Sequence, residues 1–190
     1  MTPARALADA FAAVPRTGFL PEDQRWFADV DRALPIGWGQ TNSQPTTVRT
    51  MLGLLDVQPG HRILDVGCGS AWSTALLAHL VGPDGAVVGV EIVPELIAFG
   101  RANLAALPVP NARIEPALPD VLGLPDEAPF DRVLVSAEAS TLPLSLVDQL
   151  RVGGVMVVPV AGSMHEVRRT EAGHEVVRHG SYAFVPLVGG

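Results

Sequence analysis

Apolar positions in the middle of the chain fall into short unbroken runs separated by a helix-length segment. Residues 62–66 and 86–90 are apolar, β-branched runs of strand length, and residues 73–80 between them are good helix formers. Gly67-Cys68-Gly69 ends the first run, and Pro83-Asp84-Gly85 forms a turn before the second. The pattern predicts a strand, a glycine turn, a helix and a second strand. This is one βαβ unit, whose parallel strands imply helices on both faces of the sheet.

The same patterns continue toward both ends of the chain. Trp26 and Phe27 are expected to pack inward from a short helix near the N-terminus. The fold class is predicted to be α/β: a Rossmann-like, doubly wound, mostly parallel sheet with helices on both faces, an antiparallel C-terminal hairpin and a short N-terminal helical extension. The predicted helices cover residues 3–14, 21–30, 46–55, 73–80 and 142–150, and the strands cover residues 62–66, 86–90, 112–115, 130–135, 155–160, 167–170, 175–178 and 182–188.

The chain length bounds the domain organisation. A chain of 190 residues is long enough for one substantial core, so a single domain is expected over residues 1–190. Residues 1–60 are expected to supply the N-terminal helices and a loop for substrate and cofactor. Residues 61–190 are expected to form the Rossmann-like core.

The glycine turn and an acidic residue indicate a nucleotide-like cofactor. Gly67 and Gly69 permit a sharp turn, close approach of a ligand and free N–H groups at a helix N-terminus. Glu91 follows Gly69 by 22 residues, at the end of the next strand, where a carboxylate can bind the two hydroxyls of a ribose. Asp65 and the lack of a third glycine make the D-x-G-x-G pattern resemble an S-adenosylmethionine (AdoMet) site. A turn without a ligand and an NAD-dependent oxidoreductase are the alternatives.

Composition excludes several other functions. The net charge is −7 and no basic stripe is present, so nucleic acid is not expected as a partner. All 13 basic residues are arginines, which rules out a Walker-type lysine loop and Schiff-base chemistry. The histidines lack paired ligand spacing and no CxxC occurs, so no metal site is expected. No apolar run approaches membrane-spanning length. The single cysteine, Cys68, is typical of a reducing, cytoplasmic location.

Residues 34–48 form a loop rich in hydrogen-bonding groups before a helix. Its polar centre is Gln40-Thr41-Asn42-Ser43-Gln44, which has the donors and acceptors to contact a ligand. Ser43 also stands where a cap for the following helix is expected, with Pro45 in the first turn. Taken by itself the loop favours the capping role, and both roles are compatible.

Sequence motifs in order along nearly the whole chain resemble the protein-L-isoaspartate (D-aspartate) O-methyltransferase family. That family has a V-P-R…F-V-P segment, an L-P-I-G-x-G-Q-T-I-S-Q-P loop and then its AdoMet motif. The corresponding segments here are Val14-Pro15-Arg16, Phe19-Leu20-Pro21, Leu34-Pro35-Ile36-Gly37, Gly39-Gln40-Thr41, Ser43-Gln44-Pro45, residues 128–137, Leu150-Arg151-Val152-Gly153-Gly154, Val158-Pro159-Val160 and residues 184–188.

The resemblance implies roles for individual residues. The active-site serine of the family corresponds to Ser43, and Thr41 is the second catalytic candidate. Gln44 and the segment Val185, Pro186 and Leu187 correspond to substrate-binding positions. The implied AdoMet contacts are Ile36, Gly37, Trp38, Gly39, Asp65, Val66, Gly67, Gly69, Ser70, Glu91 and Asp120.

The chain departs from the family pattern at a few of these positions. Asn42 stands where the family has isoleucine, next to Ser43. Ala71 and Trp72 replace a glycine and a tyrosine after the AdoMet motif. Leu118-Pro119-Asp120 aligns with a G-D-G whose region contacts the adenine. These differences affect the expected substrate more than the expected AdoMet site.

The reaction implied by the resemblance is transfer of a methyl group from AdoMet to the free α-carboxylate of an L-isoaspartyl residue. S-adenosyl-L-homocysteine is the other product, and the ester collapses to a succinimide that begins protein repair. The implied partners are peptides or proteins that contain L-isoaspartate, and a monomer is expected. Two alternatives remain open: a related carboxylate methyltransferase with a dedicated peptide substrate, and a catalytically silent AdoMet-binding protein.

Overall fold

The computed structural model describes residues 2–188; Met1, Gly189 and Gly190, which are the ends of the expected single domain, lie outside the described residues. A central seven-stranded sheet has the order β5-β4-β3-β6-β7-β8-β9. The neighbours from β5 to β7 pair in parallel, and β8 and β9 add to β7 as an antiparallel hairpin. The strands are β3 (Arg62–Val66), β4 (Ala86–Glu91), β5 (Ala112–Pro116), β6 (Phe130–Val135), β7 (Leu150–Val160), β8 (Ser163–Thr170) and β9 (Gly173–Ser181).

Helices cover both faces of the sheet, which confirms the predicted fold class. Four helices and the apolar side chains of one sheet face form a single core, whose members include Leu52, Leu76 and Val157. On the opposite face, one helical turn and the segment before β6 cover a second core that includes Leu64 and Val133. The helices are α1 (Pro3–Ala13), α2 (Pro45–Leu55), α3 (Trp72–Val81), α4 (Pro94–Ala105) and the single turn α5 (Leu144–Val147).

Within the first 60 residues, α1 and α2 pack on one face of the sheet, and the segment between them reaches the start of α3. A small antiparallel pair, β1 (Leu34–Gly37) with β2 (Gln40–Asn42), precedes α2. The ring of Trp72, at the start of α3, donates its Nε1–H to the Val14 carbonyl over 3.0 Å and contacts Phe11 edge-on. Because both contacts cross from the core to the N-terminal segment, they hold that segment beside the end of β3.

The loop predicted at residues 34–48 contains the paired strands β1 and β2, and three further predicted elements differ from those observed. The helix predicted at residues 142–150 is reduced to α5, because Leu150 already belongs to β7, which runs through Gly153 at a φ of 78°. Residues 21–30 contain a 3₁₀ helix over Glu22–Phe27 instead of an α-helix. Residues 182–188 are not a strand, and only an isolated bridge joins Pro186 to Glu138.

The inward packing predicted for Trp26 and Phe27 is wrong. Trp26 is 92% exposed and Phe27 is 42% exposed. The short 3₁₀ helix buries none of its residues, and the Arg32 guanidinium covers the ring of Phe27 at 5.0 Å. The apolar pattern there therefore does not mark a core-facing helix.

The capping role predicted for Ser43 is also wrong. The N-cap residue of α2 is Gln44, whose side chain makes no cap bond. Asp31, which is distant in sequence, caps α2 instead. Its carboxylate accepts the Thr46 backbone N–H at 2.8 Å and the Thr46 hydroxyl at 2.7 Å. These bonds lower the pKa of Asp31, with the backbone bond as the largest cause. Because Asp31 caps the helix, the Ser43 side chain is not used for this purpose.

Among residues 2–188, no helix is both long and apolar enough to cross a membrane.

Candidate active site

A strained turn between β3 and α3 forms the floor of the site. Gly67 and Gly69 have φ values of 71° and 53°, in the left-handed region that glycine adopts without a steric penalty. Ala71 also has a left-handed conformation, with φ of 72°, although it carries a Cβ and is fully buried. The turn lies next to the end of β6, where the strand order reverses. In open α/β sheets this switch point is where ligands bind.

Glu91 closes the turn from the end of β4. One carboxylate oxygen accepts the Gly69 N–H at 2.8 Å, and the other accepts the N–H groups of Ile92 and Val93 at 2.8 and 3.0 Å. Only 6% of the residue is exposed. A carboxylate offers about four acceptor positions, so Glu91 keeps capacity for a ligand hydroxyl. The side chain therefore points at the glycine turn, as the ribose-binding interpretation requires.

Asp65 lies beneath the turn and is completely buried. Its Oδ2 atom accepts hydrogen bonds of 2.7 Å from the hydroxyls of Ser73 and Thr74, whereas Oδ1 has no partner among residues 2–188. Burial raises the pKa of Asp65 to about 6, the two hydroxyls oppose the rise, and the charge of Glu91 adds to it. A buried carboxylate oxygen without a partner disfavours the charged form, which agrees with the raised pKa.

The burial of Asp65 predicts how the stability of the protein depends on pH. Because the folded-state pKa lies above the ordinary value of 3.8, the stability contributed by Asp65 is complete at low pH and is lost as pH rises through about 6. Asp65→Asn removes the titration. Between about pH 5 and pH 7.5, the free energy of unfolding should fall by roughly 1–2 kcal/mol less in this variant than in the unaltered protein. Denaturant unfolding of both proteins at several pH values measures this difference.

The matched control is Asp84→Asn, which changes an exposed aspartate in the turn before β4. It should leave the pH dependence of unfolding as in the unaltered protein. An Asp65 variant with the same pH dependence as the unaltered protein would show that Asp65 does not titrate over this range.

A cavity of about 380 Å³ opens above the glycine turn. Its volume falls in the range typical of small-molecule sites. Among the predicted residues, its walls contain Ile36, Thr41, Val66, Gly67, Gly69, Glu91, Asp120, Val185, Pro186 and Leu187. A smaller pocket of about 40 Å³ lies beside it and is lined by Ser43, Asn42 and Ser70. Thr41, Gly67, Gly69 and Ser136 line both spaces, so the two spaces meet at the turn.

The segment at residues 185–187 forms one wall of the large cavity. The Glu138 N–H donates to the Val185 carbonyl at 2.8 Å, and the Leu187 N–H donates to the Glu138 carbonyl at 2.7 Å. Glu138 follows the end of β6, so these bonds fix the C-terminal segment beside the switch point. Apolar side chains around the opening are partly exposed, including Ile92, Leu118 and Val188.

Some predicted residues lie away from both spaces. Gly37, Trp38 and Gly39 form the turn between β1 and β2, where Trp38 is 55% exposed with φ of 51°. Gln44 donates its side-chain amide to Asp31 at 3.1 Å. The structure thus places these four residues at the edge of the site, and Asp65 below it.

Arg16 was not among the site residues predicted from the sequence. It is 5% exposed, and its guanidinium donates to the carbonyl groups of both Asn42 and Ser43. The sequence feature that could have identified it is its place in Val14-Pro15-Arg16, which matches a motif of the family. The segment Ala117–Gly123, which lines the large cavity, was likewise predicted only at Asp120.

Comparisons with known proteins agree on one family. The family model for protein-L-isoaspartate(D-aspartate) O-methyltransferase matches residues 2–190. A protein-L-isoaspartate O-methyltransferase from Methanopyrus kandleri is 47% identical over 96% of this chain and 83% of its own length. One from Thermococcus onnurineus is 45% identical over 95% of this chain and 84% of its own length.

A solved structure agrees with the sequence relatives. A Plasmodium falciparum protein described as a protein-L-isoaspartate O-methyltransferase, in complex with S-adenosyl-L-homocysteine, superimposes with a TM-score of 0.85. It is 25% identical, and the match covers 97% of this chain and 91% of that chain.

Proposed function

The chain belongs to the protein-L-isoaspartate (D-aspartate) O-methyltransferase family, and we propose that its reaction takes place where the two spaces meet above the glycine turn. It is an AdoMet-dependent methyltransferase that methylates the free α-carboxylate of L-isoaspartyl residues and thereby initiates protein repair. The observation that supports the proposed location is the Glu91–Gly69 hydrogen bond at one end of a cavity that reaches Thr41.

The residues of the turn suit AdoMet. Glu91 would hold the ribose hydroxyls, and Asp120 lies on the same cavity wall for the adenine side. The backbone of Gly67 and Gly69 would hold the amino-acid end. Asp65, which is buried beneath the turn outside both spaces, would support the start of α3 through the hydroxyls of Ser73 and Thr74. Bound AdoMet supplies a methyl group on a positively charged sulfur, which is a good leaving group.

The acceptor side needs positioning more than acid–base catalysis. A carboxylate substrate is already ionised near neutral pH, so no general base is required to activate it. Thr41 and Ser43 would orient the carboxylate through hydrogen bonds at the junction of the two spaces. Residues 185–187 would line the peptide side and exclude water. Alignment and exclusion of water would then supply most of the rate.

The proposal also covers the division of the chain, its oligomeric state and its location. Residues 1–60 would supply the N-terminal helices and a loop for substrate and cofactor, and residues 61–190 would supply the Rossmann-like core of a single domain. A monomer is proposed, since the residues of one copy already form both spaces. A cytoplasmic location is proposed because the single cysteine, Cys68, is a buried free thiol and has no second cysteine in the chain with which to form a disulfide.

The test uses a synthetic peptide that contains one L-isoaspartyl residue and AdoMet with a labelled methyl group. The label should enter the peptide as an ester that releases methanol on mild base treatment. The matched control is the same peptide with ordinary L-aspartate, which should remain unlabelled. Tight AdoMet binding without any transfer would contradict the proposal and favour a catalytically silent binding protein. Transfer confined to some other peptide carboxylate would favour a dedicated substrate.

A further inference from the structure

A buried arginine organises the acceptor loop. The Arg16 guanidinium donates to the carbonyls of Ala28, Val30 and Arg32, and Nη2 also donates to the carbonyls of Asn42 and Ser43 at 2.9 and 3.0 Å. It also lies 5.5 Å from the centre of the Trp72 ring. Desolvation lowers the pKa of Arg16 to about 10, and Asp31 opposes the shift, so the group stays charged near neutral pH. One cation thus fixes the backbone on both sides of the Asn42–Ser43 peptide bond.

Asn42 extends this arrangement from the loop to the cofactor turn. Its Oδ1 accepts the Arg16 Nε–H at 2.7 Å, and its Nδ2 donates to the Ser70 hydroxyl at 3.1 Å. Asn42 is 5% exposed and Ser70 is 1% exposed, so both bonds are shielded from water. Ser70 is held in turn by Asn103, which donates to its carbonyl at 3.0 Å. One amide therefore joins the residue before Ser43 to the residue after Gly69.

From these contacts we infer that Asn42 is a positioning residue that couples the acceptor loop to the AdoMet turn. The inference rests on the proposed function, because it assigns Ser43 to the acceptor and residues 67–70 to AdoMet. The physical reason is the cost of losing the bonds. A buried donor or acceptor left without a partner is unfavourable, so the Arg16 and Ser70 groups restrict where the loop can lie relative to the turn.

Both bonds depend on the side-chain amide of residue 42. Isoleucine, which the family motif has at this position, provides no donor or acceptor for Arg16 or Ser70. A leucine side chain has as many heavy atoms as asparagine and branches at the same carbon; it removes both bonds, although it is bulkier. An aspartate keeps the bond from Arg16, and the Ser70 hydroxyl can donate to its second oxygen. Asn42→Asp therefore keeps the bonds at nearly constant size, and Asn42→Leu removes them.

The test is a double-mutant cycle with Asn42→Leu and Ser70→Ala, read out as affinity for S-adenosyl-L-homocysteine by calorimetry. Both single changes remove the Asn42–Ser70 bond, and Asn42→Leu also removes the bond from Arg16, so each should weaken binding by about 3- to 10-fold. The double variant should bind about as well as the weaker single variant, because groups that act together are not additive. Asn42→Asp should retain most of the affinity. The KM for isoaspartyl peptide should rise in Asn42→Asp, because a negative charge is added beside the acceptor.

Asn111→Leu is the matched control. Asn111 is another partly buried amide that donates to backbone carbonyls, those of Ala78 and Gly82, at the opposite ends of the strands. Its replacement should lower the melting temperature and leave affinity and kcat unchanged. If Asn42→Leu behaves like this control, or if the two single effects multiply in the double variant, Asn42 does not couple the loop to the turn. Should Asn42→Leu fail to fold, Ser70→Ala and Asn42→Asp decide the question.

The binding measurement can distinguish failure of the coupling from failure of the proposed function. Affinity for S-adenosyl-L-homocysteine is measured without any acceptor. Non-additive loss of affinity in a protein that never methylates isoaspartyl peptide would contradict the proposed function and support the coupling. Normal methylation in all three Asn42 and Ser70 variants, with unchanged affinity, would overturn the coupling alone.

Discussion

Replacement of Glu91 by glutamine is expected to weaken AdoMet binding by roughly 10- to 100-fold, since charge-assisted hydrogen bonds contribute about 1–3 kcal/mol. The carboxylate accepts three backbone N–H groups, one from the glycine turn and two from the residues just before α4. A glutamine amide has one oxygen, so its NH₂ group would face either the Gly69 N–H or the pair from Ile92 and Val93. The substitution thus removes the charge for the ribose and also disturbs the turn.

Calorimetric titration of the variant with S-adenosyl-L-homocysteine measures this effect, and the melting temperature records any loss of folding. Glu95→Gln is the matched control, because Glu95 is exposed in the first turn of α4 and does not line the cavity. The control should bind as the unaltered protein does. Equal affinity in the Glu91 variant and the unaltered protein would mean that the cofactor does not bind at this turn.

Removal of the Ser43 hydroxyl should lower kcat by roughly 10- to 100-fold, because a small loss of alignment has a large effect on the rate. The Ser43 backbone is held by Arg16 through its carbonyl, and Asp31 caps the helix that follows. Ser43→Ala should therefore leave the loop in place, and AdoMet affinity should change by less than about twofold. The expected result is loss of turnover without loss of cofactor binding.

Initial rates on the isoaspartyl peptide, with AdoMet at saturation, measure the change in kcat. The control is Ser145→Ala, an exposed serine in the single-turn helix α5. It should keep the rate of the unaltered protein. A Ser43→Ala variant with undiminished kcat would remove Ser43 from the mechanism and leave Thr41 as the remaining hydroxyl of the pair.

The central βαβ unit was predictable because its signals are local. The run at residues 62–66, the glycine turn and the run ending at Glu91 each reflect the preferences of neighbouring residues, and the strands and helix appear as expected. The placement of Glu91 against the turn follows from parallel pairing of β3 with β4, which brings the ends of both strands to the same edge. The family resemblance then supplied candidates that local patterns do not identify, such as Thr41 and Ser43.

Local patterns failed where distant parts of the chain decide the outcome. Trp26 lies in an apolar segment but is exposed, because the 3₁₀ helix that carries it presents no face to the core. The predicted helix at residues 142–150 is short because β7 begins at Leu150, where pairing with Phe130 of β6 outweighs helix propensity. The cap of α2 comes from Asp31, fifteen residues before Thr46, so no neighbouring pattern reveals it.

Taken by itself, the sequence determined the fold class, the glycine turn, its acidic partner and the reaction expected from family motifs. Only the tertiary structure decided how Arg16, Asn42 and Ser70 join two distant segments, since these residues are 26 and 28 positions apart. The physical reason is that short-range preferences act between neighbours in the chain. Buried hydrogen bonds act between groups that meet only after the chain has folded.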